Sequence, residues 1–295
     1  MKPVAFSILL FLFNTSCEDV IEVDVPTGES RLIVDALTRI DVNNELIPFK
    51  VKVTTTNNFF EETPATALES VVILVEVLDE NGFSTPAVKT LIEIEQGSGI
   101  YLPDPCCEGN LTYTSILAEN VIFRLVINHQ GKKYFAETKY VAAVPIENIL
   151  QGDNTLFTED EQEVVVRFID NPEEDNYYLF DFDFDEYLIT DDTFYQGQAY
   201  EFSYFYDQTF EIGKKIDISI LGVDQTYFNY MGQLIEQSTA QQGPFQTPVA
   251  TVRGNIFDIT GLDNINIFDN VERPNDFPLG YFAVVQEFKS SITIE

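Results

Sequence analysis

Three aspartates alternate with three phenylalanines from Phe180 to Asp185, near the middle of the 295-residue chain. The carboxylates belong to Asp181, Asp183 and Asp185. Because alternate side chains of an extended strand point to opposite faces, this spacing predicts carboxylates on one face and rings on the other. Ca²⁺ prefers such hard oxygen ligands, so the tract is a candidate calcium site. A solvated strand face is the alternative, because no complete calcium-loop motif surrounds the tract.

An aromatic stretch follows, from Phe194 to Phe210. Its rings are too numerous for one strand to bury completely, which predicts a ligand-binding or partner surface. Core packing of most of these rings is the alternative. The chain has no tryptophan, so a stacking platform for sugars has to be built from tyrosine or phenylalanine. The residues predicted for this surface are Phe194, Tyr195, Tyr200, Tyr204 and Tyr206.

Catalytic motifs are scarce. The only histidine, His129, lies in Asn128-His129-Gln130-Gly131, which predicts an exposed hairpin turn. The sequence therefore offers no triad, cysteine–histidine pair or multi-histidine metal site, and it has no phosphate loop or G-x-S-x-G elbow. We predict that the protein is not an enzyme. The alternative is an extracellular glycan hydrolase with paired carboxylates, although 49 acidic residues provide such pairs by chance.

Two neighbouring cysteines, Cys106 and Cys107, lie in a loop-like segment rich in proline and polar residues. Adjacent cysteines can close only a strained vicinal disulfide, which we expect in an oxidising compartment. Such a bond cannot link distant segments, so the fold must be stabilised by its core.

The first seventeen residues have the features of a bacterial lipoprotein signal. Lys2 precedes an apolar run from Val4 to Phe13, and Cys17 follows shortly after. A run this short does not span a bilayer, which needs about 20 residues, so residues 1–16 are predicted to be a cleaved signal peptide. Acylation of Cys17, with palmitate for example, would anchor the protein to a membrane without crossing it. An ordinary secretory peptide is the alternative.

The composition is strongly acidic, with 49 Asp and Glu against 16 Lys and Arg and a net charge of −33. Such a surface repels nucleic acid, so we exclude nucleic-acid binding. It is compatible with cationic ligands, and no cofactor other than calcium is indicated. The 45% hydrophobic residues supply enough core for a folded protein.

Strand-like runs separated by turn signals dominate the chain and predict a mainly β fold. Residues 17–30 are predicted to form the lipidated tether and a first strand, and residues 31–145 an immunoglobulin-like β-sandwich. Residues 146–295 are predicted to form a β-rich domain. Its one conspicuous α-helix is predicted over about 225–241, with Asp224 as N-cap and Gly243-Pro244 after its end.

Several segments together resemble one known family. They are Cys17-Glu18, Gly28 to Val34, Gly99-Ile100-Tyr101, Asp192 to Gly197, Tyr227 to Tyr230, Gly243 to Pro248, Val252 to Ile256 and Gly280-Tyr281-Phe282. This pattern resembles the Bacteroidota lipoproteins filed as domain of unknown function forty-two forty-nine, over nearly the whole mature chain. The resemblance implies an accessory protein of a TonB-dependent outer-membrane receptor, and it carries over no catalytic residue.

The acidic Glu18-Asp19 after the anchor resembles the signal that directs Bacteroidota lipoproteins to the cell surface. We therefore expect a lipid-anchored, surface-exposed outer-membrane protein that works with a TonB-dependent transporter in nutrient or metal uptake. A purely structural or adhesive surface module is a further alternative.

Overall fold

The computed structural model describes residues 30–56, 65–79, 81–82, 85–158, 160–239, 251–262 and 277–295. The predicted signal peptide, Cys17 and the tether lie outside these residues and stay predictions. Among the residues described, no helix has the length and apolar character needed to cross a membrane.

The fold is mainly β, as predicted, and the described residues include one α-helix. The strands are β1 (Leu32–Ile40), β2 (Val51–Thr55), β3 (Ser70–Val77), β4 (Ala87–Glu93), β5 (Ile100–Pro103), β6 (Val121–His129), β7 (Lys132–Val141), β8 (Ile146–Gly152), β9 (Gln162–Ile169), β10 (Tyr177–Asp181), β11 (Tyr187–Asp191), β12 (Ala199–Tyr206), β13 (Lys215–Val223), β14 (Phe257–Asp258) and β15 (Leu279–Thr293). The helix α1 (Gln225–Thr239) follows β13, at the predicted place.

Eight strands form a barrel-like sheet in the order β15-β1-β2-β5-β4-β3-β6-β7. The sheet closes where β7 returns to β15, with Tyr140 opposite Val284. Alternate residues of β1 are buried in its interior, where Phe49 meets Phe123 edge to face at 5.8 Å between ring centroids. The immunoglobulin-like sandwich is not confirmed, because these strands close on one another instead of forming two facing sheets.

The long strand β15 belongs to both halves of the molecule. Residues 279–286 lie parallel to β1, and residues 287–293 pair antiparallel with β13. Beyond β13 the sheet continues to β10 and β11. Strands from before and after residue 145 therefore belong to one twelve-stranded sheet. A separate three-stranded sheet, β12-β9-β8, packs its apolar face against this extension.

Three backbone segments meet closely at the start of β15. A Cβ added at Gly280 would lie 1.9 Å from the carbonyl oxygen of Val34, and one added at Gly254 would lie 1.6 Å from the carbonyl oxygen of Gly280. The Asn255 side chain accepts from the N–H of Phe282 and donates to its carbonyl oxygen, each over 2.8 Å. The two glycines thus permit the approach that the asparagine fixes.

Replacing Asn255 by alanine should lower the free energy of unfolding by about 2 kcal/mol, because both backbone groups of Phe282 lose a partner. Urea unfolding followed by circular dichroism measures this loss. The matched control is Asn229→Ala on the exposed side of α1, which should change stability by less than about 0.5 kcal/mol. Equal unfolding midpoints for the two variants would contradict the assigned role of Asn255.

The extended strand predicted through Phe180 to Asp185 is wrong, because the structure has a hairpin there. β10 ends at Asp181, and β11 begins at Tyr187. The intervening turn has positive φ angles of 64°, 53° and 61° at Asp183, Phe184 and Asp185. Aspartate tolerates this left-handed backbone better than most residues, but no glycine, proline or asparagine in the tract marks the turn.

Candidate functional site

The acidic tract does not form the predicted row of carboxylates, because the hairpin turn separates them. One oxygen of Asp181 lies 2.6 Å from Arg39, and the other accepts from the N–H of Asp183 over 3.0 Å. Asp185 is exposed at the turn. No group of three or more His, Cys, Asp or Glu side chains among the described residues could hold a metal ion. The tract therefore presents no preformed calcium ligand set.

Four of the five aromatic residues predicted for a binding surface pack into the core, the alternative left open by the sequence. Tyr195 stacks on Tyr200 at 4.2 Å between ring centroids, and Tyr204 stacks on Phe182 at 3.8 Å. The hydroxyl of Tyr206 donates to the carbonyl oxygen of Phe182 over 2.8 Å. Burial raises the pKa of Tyr195 and of Tyr206, so both phenols stay protonated.

Phe194 is the member of the predicted surface that is exposed, with 93% of its area accessible. It lies in a short 3₁₀ turn, Asp192–Phe194, which directly follows β11. The side chain of Asp191 accepts from the N–H of Thr193 and so fixes this turn.

His129 and the two adjacent cysteines line neither the groove beside α1 nor the recess at its first turn. The predicted hairpin turn is confirmed at Gln130 and Gly131, whose φ angles are 51° and 72°. His129 itself ends β6 and is buried, so its predicted exposure is wrong. Cys106 and Cys107 are exposed free thiols, and the expected vicinal disulfide is not formed.

A groove of about 500 Å³ lies between β1, α1 and strands β10 and β11. Two contacts fix the start of the helix and its packing on the sheet. The Asp224 side chain accepts from the N–H of Tyr227 over 2.7 Å, which confirms the predicted N-cap. Phe228 packs on Tyr177 of β10 at 5.1 Å between ring centroids. The polar residues that line the groove are Asp35, Arg39, Lys50, Asp181, Tyr187, Tyr227, Tyr230 and Tyr281.

Three tyrosines form one aromatic wall of the groove. Tyr227 and Tyr281 meet at 4.8 Å between ring centroids, and Tyr230 lies 5.0 Å from Tyr281. Burial, with a smaller contribution from the negative charge of Asp35, raises the pKa of Tyr230 to about 12. Because the phenol is protonated at neutral pH, it can donate a hydrogen bond to a ligand oxygen while its ring offers apolar contact.

An ion-paired arginine forms the opposite side of the groove. The guanidinium of Arg39 bridges Asp181 at 2.6 Å and Glu287 at 2.7 Å, and the hydroxyl of Ser219 also donates to Glu287. Burial by itself would lower the pKa of Arg39, but the charges of Glu287 and Asp181 raise it overall. This side of the groove therefore has paired charges rather than a free acid or base.

Sequence reasoning missed this groove. Asp35 and Arg39 occupy outward positions of β1, as ordinary solvent-facing residues of a barrel strand do. Tyr227 and Tyr230 are three residues apart on the predicted helix, which signals a shared face. Nothing local indicates that Tyr281 of β15 completes that face.

A second recess, of about 490 Å³, lies beside the first turn of α1. Its acidic residues are Asp175, Asp191 and Asp192. Asp192 is buried and accepts from the N–H of Asn176 over 2.7 Å. Burial, together with the charges of Asp170 and Asp175, raises the pKa of Asp192. The recess thus joins one carboxyl group of raised pKa to two further carboxylates.

Comparison with known proteins gives one family match. The family model described as Domain of unknown function (DUF4249) matches residues 18–290, which is nearly all of the chain after the predicted signal peptide. No curated protein matches the chain.

Proposed function

Since the chain belongs to the family described as a domain of unknown function, DUF4249, we propose that it is a surface-exposed lipoprotein of the outer membrane of a Bacteroidota cell. In this proposal it is a non-enzymatic accessory protein that captures a ligand for a TonB-dependent transporter in nutrient or metal uptake. Cys17 carries the acyl chains, and the folded part presents the ligand to the transporter.

The groove beside α1 carries the capture role. Its volume of about 500 Å³ lies within the range of about 300–1,000 Å³ for small-molecule sites. Tyr230 and Tyr281 supply aromatic contact, while Asp181 is engaged by Arg39. Aromatic contact beside an ion-paired carboxylate favours binding over bond cleavage, because a glycosidase requires a free acid and a free base or nucleophile.

Affinity purification from gently solubilised outer membranes tests the partnership. The wild-type protein, carrying an affinity tag in the exposed turn at Asn81-Gly82, should recover a β-barrel receptor in amounts comparable to its own. Recovery of this chain alone under the same conditions would contradict the proposed function.

Replacing Cys17 by alanine should remove membrane attachment, because the residue would no longer supply a thiol for acylation. Labelling with a palmitate analogue should mark the wild-type protein and leave the variant unmarked, and the variant should leave the membrane fraction. Cys106→Ala is the matched control, since it removes an exposed thiol without touching the signal. Equal labelling of the Cys17 variant and the wild type would disprove lipidation at this residue.

The change in melting temperature on adding ligand distinguishes a ligand-capture protein from a structural or adhesive module. A ligand bound to the folded state at 100 times its Kd stabilises that state by about 2.7 kcal/mol. We expect at least one member of a panel of oligosaccharides and divalent cations to raise the melting temperature of the wild type. Tyr230→Ala should reduce that shift, while the same change at the buried Tyr206 should destabilise the protein without ligand. A panel without any shift would favour the structural module.

The second recess gives one specific reason to keep the glycan hydrolase as a second candidate function. Buried Asp192, with its raised pKa, has the property of a general acid, and Asp175 and Asp191 lie beside it. Release of reducing sugar from a polysaccharide panel, lost in Asp192→Asn, would support this function. Equal release by the variant and the wild type would exclude Asp192 as the acid.

A further inference from the structure

Apolar side chains project into solvent at one end of the molecule. The exposed fractions are 91% for Phe157, 84% for Ile212 and 61% for Leu156. Together with Phe194, they are the four most exposed large apolar residues in the part of the chain that the structure describes. Burying three such side chains against a partner would be a substantial source of binding free energy.

The loops that carry these residues lie at the same end of their sheets. Gly152 at the end of β8 pairs with Glu163 of β9, so the loop between these strands begins and ends there. The N–H of Glu295 donates to the Gln151 side chain over 2.8 Å, and the N–H of Gly213 donates to the carbonyl oxygen of Ile294 over 2.8 Å. The C-terminal residues therefore connect the end of β8, where the loop of Phe157 begins, to the loop of Ile212. We call the exposed trio Leu156, Phe157 and Ile212 the apolar end.

Hydrogen bonds hold these loops in place. The carboxylate of Glu161 accepts from the N–H groups of Leu156 and Phe157, the latter over 3.1 Å. Buried Glu163 accepts from the N–H of Asn154 over 2.9 Å. Because these contacts already order the backbone, a partner that covers the apolar end pays less conformational entropy on binding.

Carboxylates surround the apolar end. The described acidic residues of its loops and of the adjacent hairpin turn are Asp153, Asp160, Glu161, Asp183, Asp185, Glu186, Asp207 and Glu211. Within these described segments the one cation is Lys214, whose ammonium lies over the Phe184 ring at 5.1 Å. Two copies docked end to end would bring like charges together, and an anionic membrane would repel this rim. A different protein with basic residues fits better.

The apolar end also lies away from the point where the tether enters the fold. β1 begins beside the first residues of β15, with Ile33 opposite Leu279. β15 then runs on for fifteen residues, and its last residues reach the apolar end. A chain anchored through its N-terminus can therefore present the apolar end to another protein while the anchor stays in the membrane.

We propose that the apolar end is a docking surface for a partner protein that offers an apolar recess rimmed by lysine and arginine. This inference rests on the proposed function in so far as that function requires a partner, and it assigns the contact surface. Association should be faster and tighter at low ionic strength, because the rims carry opposite charges.

Photo-crosslinking in cells tests the surface with the full-length anchored protein. A photoreactive phenylalanine analogue is placed at Phe157, at Ile212, or at Val88, a control on β4 of the barrel that is 54% exposed. The first two positions should cross-link to the same protein, and Val88 should not. Cross-links to a second copy or to lipid, or equal cross-linking at Val88, would overturn the proposal.

A triple variant, Leu156→Ser, Phe157→Ser and Ile212→Ser, separates this inference from the proposed function. It should keep the wild-type melting temperature, since the three side chains are exposed, and it should recover the partner at least 10-fold less well. Full recovery by the variant would overturn the docking surface alone. Failure of the wild type to recover any partner would overturn the proposed function as well.

Discussion

Replacing Gly280 by alanine should lower the free energy of unfolding by about 4 kcal/mol, a large part of the roughly 5–15 kcal/mol that stabilises a typical folded protein. A Cβ at this position would lie 1.9 Å from the carbonyl oxygen of Val34 and 2.9 Å from its N atom. These are backbone atoms of β1, so no side chain can rotate out of the way. The φ angle of +96° adds strain for any residue other than glycine. Chemical unfolding and the yield of soluble protein measure the effect.

A second glycine shows how much of the lost stability comes from the steric clash and how much from backbone strain. Gly131 also has a positive φ, of +72°, but a Cβ there would meet nothing within 4 Å. Gly131→Ala should therefore cost only about 1 kcal/mol, the backbone strain without the clash. If the two variants lose the same stability, the close approach of β15 to β1 is not what requires Gly280.

The expected loss is large because this approach closes the barrel. Leu279 to Gln286 pair in parallel with β1, and Val284 and Val285 also meet β7. Disruption at Gly280 would thus release the strand that joins the first and last strands of the barrel-like sheet. Such a closure leaves no signal in local periodicity, which explains why a mainly β fold could be predicted but the arrangement of its strands could not.

The predicted hairpin turn and the predicted start of the helix are both confirmed, whereas Gly243-Pro244, predicted after the end of the helix, lies outside the described residues. The turn at Gln130-Gly131 and the N-cap at Asp224 follow from local rules, and the structure confirms both. The tract from Phe180 to Asp185 shows the opposite case. Its strict alternation obeys the strand rule, yet the chain turns through three residues of positive φ. At this turn Phe182 packs on Tyr204, a contact between distant segments that the local sequence pattern does not predict.

The candidate groove depends almost entirely on contacts between distant segments. Asp35 of β1, Tyr187 of β11, Tyr230 of α1 and Tyr281 of β15 meet only after the barrel and its extension have formed. The sequence could supply the residue types, including the aromatic excess, but not which rings face the core. The buried Tyr206 and the groove-lining Tyr230 lie in similarly aromatic segments, and tertiary packing alone distinguishes them.

The groove and the apolar end lie at opposite ends of strand β13. α1 follows Val223 at the end of β13, whereas the apolar end lies near Lys215 at the start of that strand. One surface can therefore hold a ligand while the other contacts a protein. This arrangement suits the proposed accessory role, because partner docking need not close the ligand groove.

Replacing Arg39 by methionine should lower the free energy of unfolding by about 3 kcal/mol, the cost typical of removing one member of a largely desolvated ion-pair network. The change leaves Asp181 and Glu287 near each other without the guanidinium that bridges them at 2.6 and 2.7 Å. Arg167→Met is the matched control, since its pair with Glu147 at 2.6 Å is about half exposed on both sides and should contribute far less to stability.

A compensating variant shows whether unpaired charge causes the loss. Adding Asp181→Asn and Glu287→Gln to Arg39→Met removes both carboxylates and should recover more than half of the lost stability, because no uncompensated charge remains. The raised pKa of Arg39 keeps the wild-type bridge intact through neutral and moderately alkaline pH, so its stabilisation should persist until the pH rises far above that range. A triple variant no more stable than Arg39→Met would show that the arginine acts through packing of its side chain rather than through its charge.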